Sequence, residues 1–365
     1  MSQIKILLFI ISLAYLQACS TTDKIAQVTP LTKETTTVEK RTISSDVQTS
    51  TPTVPATTDL ANKPAIQNGE SDTGGGESSE GSSAGRKIVI PQDQEGLAKK
   101  CNDAFENRPE FLKGQANDRK AFNAYNYTIK HRAYEVSYNF YHLNPNWIYH
   151  RIHRENLKNS CGKRDKGFYA DSDLYKVGVP QDLVLTDKSF KGSGFDRGHM
   201  APSADFLWNQ EINKESFFMT NMSPQTPGLN QHTWQKLEDR IRKWACGNGE
   251  LEVYTGPVLE QGLQRLESCA SIPKKYYKVL AYYKNGKHHG IAFLYPQTDQ
   301  PKDGDPFQKR ALSIRQLEEL TGQNFFNDKY SKEVQDSFET AFDIKDWAGT
   351  EDNCAACNGK LKQGD

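Results

Sequence analysis

Between Ser20 and Ile90 the chain has no Phe, Trp or Tyr, yet 36 of its 38 aromatic residues lie at or beyond Phe105. This segregation limits the fold more than any average does. The leading segment holds 23 Ser or Thr in 71 positions, several Pro and the run Gly74-Gly75-Gly76. Such a stretch cannot bury enough apolar surface to offset its ordering entropy, and it reads as a flexible tether. The packed core must come from the last 261 residues, enough for one domain of about 240–260 residues. No run of about 18 apolar residues occurs, which excludes a polytopic membrane protein. The formal charge of 46 − 46 = 0 excludes a strongly basic chromatin-type binder but leaves room for a local basic patch.

At the N-terminus, Lys5 precedes the apolar stretch Ile6–Leu16 and the sequence Leu16-Gln17-Ala18-Cys19. The pattern is that of a short signal peptide over residues 1–18, and Leu-Gln-Ala-Cys resembles the bacterial lipobox, in which the cysteine receives lipid. Cys19 is therefore the expected anchor, holding an exported protein on the bacterial cell envelope without spanning a membrane. Residues 19–95 form the expected anchor and tether, 96–345 the folded domain and 346–365 a cysteine-containing tail. Six cysteines remain, Cys101, Cys161, Cys246, Cys269, Cys354 and Cys357. An even number in an exported chain favours structural disulfides, with 15 pairings open.

Runs rich in Tyr, Val, Ile and Phe predict strands at Tyr134–Tyr141, Leu251–Tyr254, Tyr276–Tyr283 and Gly290–Leu294. Helical periodicity predicts helices at Trp147–Leu157, Asn230–Ala245, Ser313–Leu320 and Ser331–Phe338. The absence of a regular βαβ rhythm favours an α+β fold.

The chemistry concentrates in Gly194-Phe195-Asp196-Arg197-Gly198-His199-Met200 and in the residues that follow: Asn221, Asn230, Glu238 and Arg242. Taken alone, His199 reads as a structural histidine. On a helix from Asn230 at 100° per residue, Trp234, Leu237, Ile241 and Ala245 fall at roughly 40°, −20°, 20° and 60°, one apolar stripe. Glu238 and Arg242 border it near 80° and 120°, and alone they read as a solvated i,i+4 ion pair worth a few tenths of a kcal/mol.

Together, Asp196-Arg197-Gly198-His199, Asn221, Asn230, Glu238 and Arg242 resemble the DNA/RNA non-specific endonuclease family, of the Serratia-nuclease and endonuclease G type. The likeness continues through Asn146-Trp147, Tyr254-Thr255-Gly256-Pro257-Val258, Ile272-Pro273-Lys274-Lys275-Tyr276-Tyr277-Lys278, Ala292-Phe293 and Leu317–Gly322. The resemblance implies a ββα-metal (His-Me finger) core, with a mixed or antiparallel sheet and flanking helices, in which a hairpin supplies the histidine and a helix the metal ligand. It implies His199 as general base, Asn230 as direct ligand of Mg²⁺ with Mn²⁺ as a substitute, and Glu238 as a ligand through water. Arg197 and Arg242 become phosphate clamps, Asn221 orients the site, and Asp196 holds loop backbone. The further upstream arginine of such sites has Arg164 and Lys166 as its nearest candidates. DNA and RNA are the implied substrates, and a homodimer is compatible with the family.

A polyanion requires local positive charge. Thr128–Lys166 holds eight Lys or Arg against three Asp or Glu, and Lys274–Lys287 holds five Lys and no acid; the second run reads equally as strand edges guarded by lysine. Phosphate contacts alone predict weak sequence preference. The competing expectation is a non-catalytic envelope lipoprotein that binds nucleic acid or a protein partner.

Overall fold

The computed structural model describes residues 86–107, 109, 126–298, 307–348 and 350–354. The signal peptide, Cys19 and nearly all of the tether lie outside the described residues. Two sheets organise the rest. The larger has seven strands in the order β1 (Asn126–Lys130), β2 (Tyr134–Asn139), β3 (Asn144–His153), β6 (Glu250–Pro257), β7 (Lys275–Lys284), β8 (Lys287–Pro296) and β9 (Ala311–Leu312). The smaller pairs β4 (Asp196–His199) with β5 (Met222–Gln225). Every strand pairing within these two sheets is antiparallel. Helices are α1 (Gln94–Glu106), α2 (Arg154–Lys158), α3 (Ser172–Lys176), α4 (Gln210–Glu215), α5 (Gln235–Asn248), α6 (Ile314–Thr321), α7 (Lys332–Glu339) and α8 (Lys345–Ala348).

The large sheet is covered on both faces, so β6 and the middle of β7 are buried over most of their length. Strand β7 shows how period-two alternation divides them. Tyr276, Leu280 and Tyr282 enter the main core with Trp234, Leu237, Ile241 and Trp244, whereas Tyr277, Val279 and Ala281 pack with Ile314, Leu317 and Phe338 of α6 and α7. The stripe expected on the Asn230 helix is thus real: Trp234, Leu237, Ile241 and Ala245 are all buried. Truncating Ile241 to Ala would cost about 2–5 kcal/mol at such a site. Ser313 caps α6 in a reciprocal capping box with Gln316, which fixes that helix start where the sequence placed it.

The predicted helix at Trp147–Leu157 is instead β3 followed by the single turn α2. Trp147, Ile148, Tyr149 and Ile152 are aromatic or β-branched, and β3 finds partners on both sides in β2 and β6, so ladder bonds override the local apolar spacing. Disulfides join Cys101 to Cys269 and Cys246 to Cys354, and Cys161 is also oxidised. The second ties the end of α5 to the C-terminal segment.

Candidate active site

The hairpin β4–β5 brings His199 opposite Met222 and Asp196 opposite Gln225. The chain then turns directly into a helix whose first part, Leu229–Trp234, has the wider π spacing before it continues as α5. This is the two-strand-plus-helix arrangement that the resemblance implied. The π segment contains Asn230. Its wider turn changes the angle between Asn230 and the α5 stripe, so the uniform 100° reckoning does not hold there; π segments recur at functional sites for this reason.

Asp196 fixes the asparagine. Its Oδ2 accepts from Asn230 Nδ2 at 3.0 Å and from Gln231 Nε2 at 2.7 Å, and its Oδ1 lies 2.9 Å from Arg86 Nη2. The expected role, holding loop backbone, is replaced by holding the helix start. Because the Asn230 amide nitrogen faces Asp196, its carboxamide oxygen is turned away from that carboxylate. Arg86 belongs to a segment that lies against the motif: Val89 N donates to Ser193 O at 2.8 Å, and Gly194, at φ +78°, has no room for a Cβ, which would sit 2.2 Å from Lys87 O.

His199 is buried, with Phe217 edge-on at 4.8 Å and Phe168 at 5.8 Å between ring centroids. Its Nε2 has no hydrogen-bond partner among the described residues. Burial, and then the nearby Arg164 charge, push its pKa well below the ordinary 6.5, so the ring is neutral at neutral pH. Asn221 is fully buried and wholly engaged: Oδ1 accepts from Ala201 N at 2.8 Å, and Nδ2 donates to Ala201 O at 2.9 Å and Ser216 O at 2.7 Å. It fixes the backbone just after His199 and has no polar atom left for substrate.

Arg164 lies over Phe217 at 4.9 Å, donates to Ser203 Oγ, and feels Glu238; burial of its head lowers its pKa. It therefore shares one neighbourhood with His199 and Glu238, as an upstream arginine should. Lys166 is exposed close by in the chain. Arg197 stacks on Phe168 at 4.8 Å and donates to Asp187 O at 3.2 and 2.5 Å, which places it on the rim beside the same ring that walls His199. Arg242 is held by Asp205 at 3.0 Å and by Asp239, leaving it less free for phosphate than the expected clamp. Asp205 in turn bonds His150 at 2.9 Å.

Glu238 lies against a lysine that the sequence hid within an apparent basic run. Lys278 Nζ is 3.6 Å from Glu238 Oε1, 3.0 Å from Thr255 Oγ1 and 3.4 Å from Met200 O, with the Trp234 ring at 4.8 Å. Thr255 and Lys278 are cross-strand partners. Burial pushes the Glu238 carboxyl up to about 7, opposed by Lys278 and Arg242, and burial lowers Lys278. The run Lys274–Lys287 is consequently not one patch. Lys278 is only 1% exposed, Lys284 donates to Gly247 O and Asn248, and the others sit at opposite ends of β7 and its hairpin, about 30 Å apart at strand rise. The first run is also partly neutralised, by Arg132 with Glu215, Arg151 with Glu250, and Lys158 with Glu155.

A divalent cation fits these residues. Among the described residues, Glu238 Oε1, ion-paired with Lys278, and His199 Nε2 are buried without a hydrogen-bond partner, and buried polar atoms of that kind call for a ligand, ion or water. A carboxamide oxygen and a carboxylate, of Asn230 and Glu238 on one helix, are the donor types of a hard, largely hydrated ion.

Comparison with known proteins points the same way. A sequence model of the DNA/RNA non-specific endonuclease family matches residues 114–332. A nuclease of Nostoc sp. is 31% identical over 227 residues, spanning 60% of this chain and 79% of the relative. Human mitochondrial endonuclease G is 32% identical over 143 residues, 39% of this chain and 43% of its own. Nuclease C1 of Cunninghamella echinulata is 29% identical over 214 residues, 54% and 82%. The EndoG structure solved with its inhibitor EndoGI superposes with a TM-score of 0.51 at 23% identity, over 57% of this chain and 89% of that one, a likeness of fold. The family's nucleases depend on a metal. By the extent of both the family match and the Nostoc alignment, the chain belongs to the DNA/RNA non-specific endonuclease family.

Proposed function

We propose that this protein is a divalent-metal-dependent endonuclease that hydrolyses phosphodiester bonds in DNA and RNA, with Mg²⁺ at Asn230 and Glu238 and with Mn²⁺ able to replace it. The observation that carries the reading is the His199 imidazole, buried, neutral and unpartnered at Nε2, on a hairpin that leads into the helix of Asn230. Nε2 accepts the proton of the attacking water, a role for which a neutral ring is required. Asn221 holds the backbone beyond His199, so the ring keeps its aim through the reaction. Arg164, stacked on Phe217, donates to the phosphate, with Arg197 and Lys166 on the approach. Asn230 ligates the ion directly and Glu238 holds its waters, positioned by Asp196 and Lys278. When bound, the ion neutralises charge on a phosphate oxygen and on the departing 3′ oxygen. Arg242 secures the helix through Asp205 and Asp239.

The protein is further proposed to be exported and tethered by lipid at Cys19 on the envelope surface. The substrate test uses purified protein with single-stranded DNA, duplex DNA and RNA, each with Mg²⁺ and with EDTA. Degradation of all three that stops with EDTA is expected. Retention of nucleic acid without cleavage, persisting in EDTA, would instead favour a binding lipoprotein.

A further inference from the structure

We infer that His131, Asp171 and Asp173 form a second divalent-metal site, built from residues other than those of the candidate active site. One donor atom from each lies within 4.8 Å of the other two. His131 comes from the β1–β2 turn, whereas Asp171 caps α3 and Asp173 sits in its first turn, so an ion would join two separate parts of the chain.

The imidazole is preorganised. Its side chain is 1% exposed and lies between Tyr134 and Phe218, at ring distances of 4.6 and 5.2 Å. Nε2 lies 3.1 Å from Asp171 Oδ2 yet makes no hydrogen bond to it or to any other group among the described residues. An sp² nitrogen that approaches a carboxylate oxygen but does not point at it resembles one of two adjacent ligands on a shared ion: bonds of about 2.1 Å put donor atoms roughly 3.0–3.4 Å apart between right and tetrahedral angles. Asp173 Oδ2 lies 3.6 Å from the other ring nitrogen, Nδ1, so its partly exposed side chain would turn toward Nε2 to join Asp171 on the ion.

The carboxylates also need a counter-charge. Asp171 is fully buried. It accepts from Thr220 Oγ1 at 2.5 Å and from Asp173 N at 3.0 Å, but among the described residues it has no lysine or arginine partner. A buried carboxylate without a cation is costly. Asp173 is paired on its other oxygen with Lys176 at 2.6 Å and is 35% exposed, which leaves solvent access to the cluster. One imidazole nitrogen with two carboxylate oxygens suits Zn²⁺ or a similar borderline ion better than Mg²⁺. The ion would brace the turn Met219–Asn221 through Thr220, next to the asparagine that fixes His199.

The test is calorimetric titration of ZnCl₂ into metal-stripped full-length protein, comparing wild type with His131→Gln, Asp173→Asn and Asn230→Ala, with circular dichroism to confirm folding. Both His131→Gln and Asp173→Asn leave the Asp171 cap in place. Wild type and Asn230→Ala should bind one equivalent of Zn²⁺ at a site weakened at least tenfold in the other two variants, and Zn²⁺ should raise Tm only where that site is intact. Equal binding by folded His131→Gln and Asp173→Asn, or loss in Asn230→Ala alone, would overturn the assignment. So would no binding at all. A negative result here leaves the nuclease reading untouched, since cleavage is not the readout.

Discussion

Replacing Lys278 by Met leaves Glu238 without its nearest positive charge, and the size of the effect follows from the geometry. At 3.6 Å and an effective dielectric near 20, the pair attracts by about 4–5 kcal/mol, equivalent to roughly 3 pKa units. Arg242 shares the field and the site can relax, so a rise of about 1–3 units for Glu238 is expected. Its carboxyl is already raised from 4.5 to about 7 in the folded chain. A raised folded-state pKa favours the fold fully below pH 4.5, and that contribution disappears as pH climbs through 7. In Lys278→Met the disappearance continues to higher pH, because a buried, ionised and unpaired carboxylate costs several kcal/mol. Metal-free thermal denaturation from pH 5 to 9 should therefore show a Tm deficit that is small at pH 5 and widens steadily above pH 7. The acid limb of Mg²⁺-supported plasmid cleavage should move upward with it. Adding Glu238→Gln to Lys278→Met should remove the pH dependence of the deficit, as a coupled pair requires. Parallel Tm profiles for wild type and Lys278→Met would refute the reasoning.

Four further outcomes follow from single contacts. Asp196→Ala releases the Asn230 and Gln231 amides and should weaken Mn²⁺ binding about 10–100-fold, measured by titration followed with electron paramagnetic resonance; Arg86→Ala, which removes an exposed ion pair, should shift stability by no more than about 1 kcal/mol in urea unfolding. Gly198→Ala would put a Cβ 2.1 Å from Gln225 Oε1, and should lower stability by about 1–3 kcal/mol through overpacking at the hairpin. Opening Cys246–Cys354, which closes a separation of 108 residues, with paired serines should cost about 2–5 kcal/mol and lower Tm.

Much of the site was legible because its chemistry sits in short, ordered blocks: Asp196 to His199 on a hairpin, and Asn230 to Arg242 on the next helix. The α5 stripe was legible because 3.6-residue periodicity persists over several turns. Other features depend on partners distant in sequence. Trp147–Leu157 carries apolar spacing that suits a helix, but β2 and β6 decide it as a strand. Lys278 looked like solvated charge because alternation along β7 does not reveal which face carries α5 or that Thr255 stands beside it. The grip of Asp196 on Asn230 spans 34 residues, and that of Asp205 on both His150 and Arg242 spans 55 and 37; no local pattern encodes such bonds. The π segment likewise defeats a uniform helical angle at the very residue proposed to hold the ion.

The central claim is that His199 is the general base, and the most direct measurement is the single-turnover rate of supercoiled plasmid cleavage by His199→Ala at saturating Mg²⁺, with circular dichroism matching wild type. General-base catalysis contributes about 10²–10⁴-fold, so a folded variant slowed by at least a hundredfold is predicted. A folded variant cleaving within a few-fold of the wild-type rate would contradict the account.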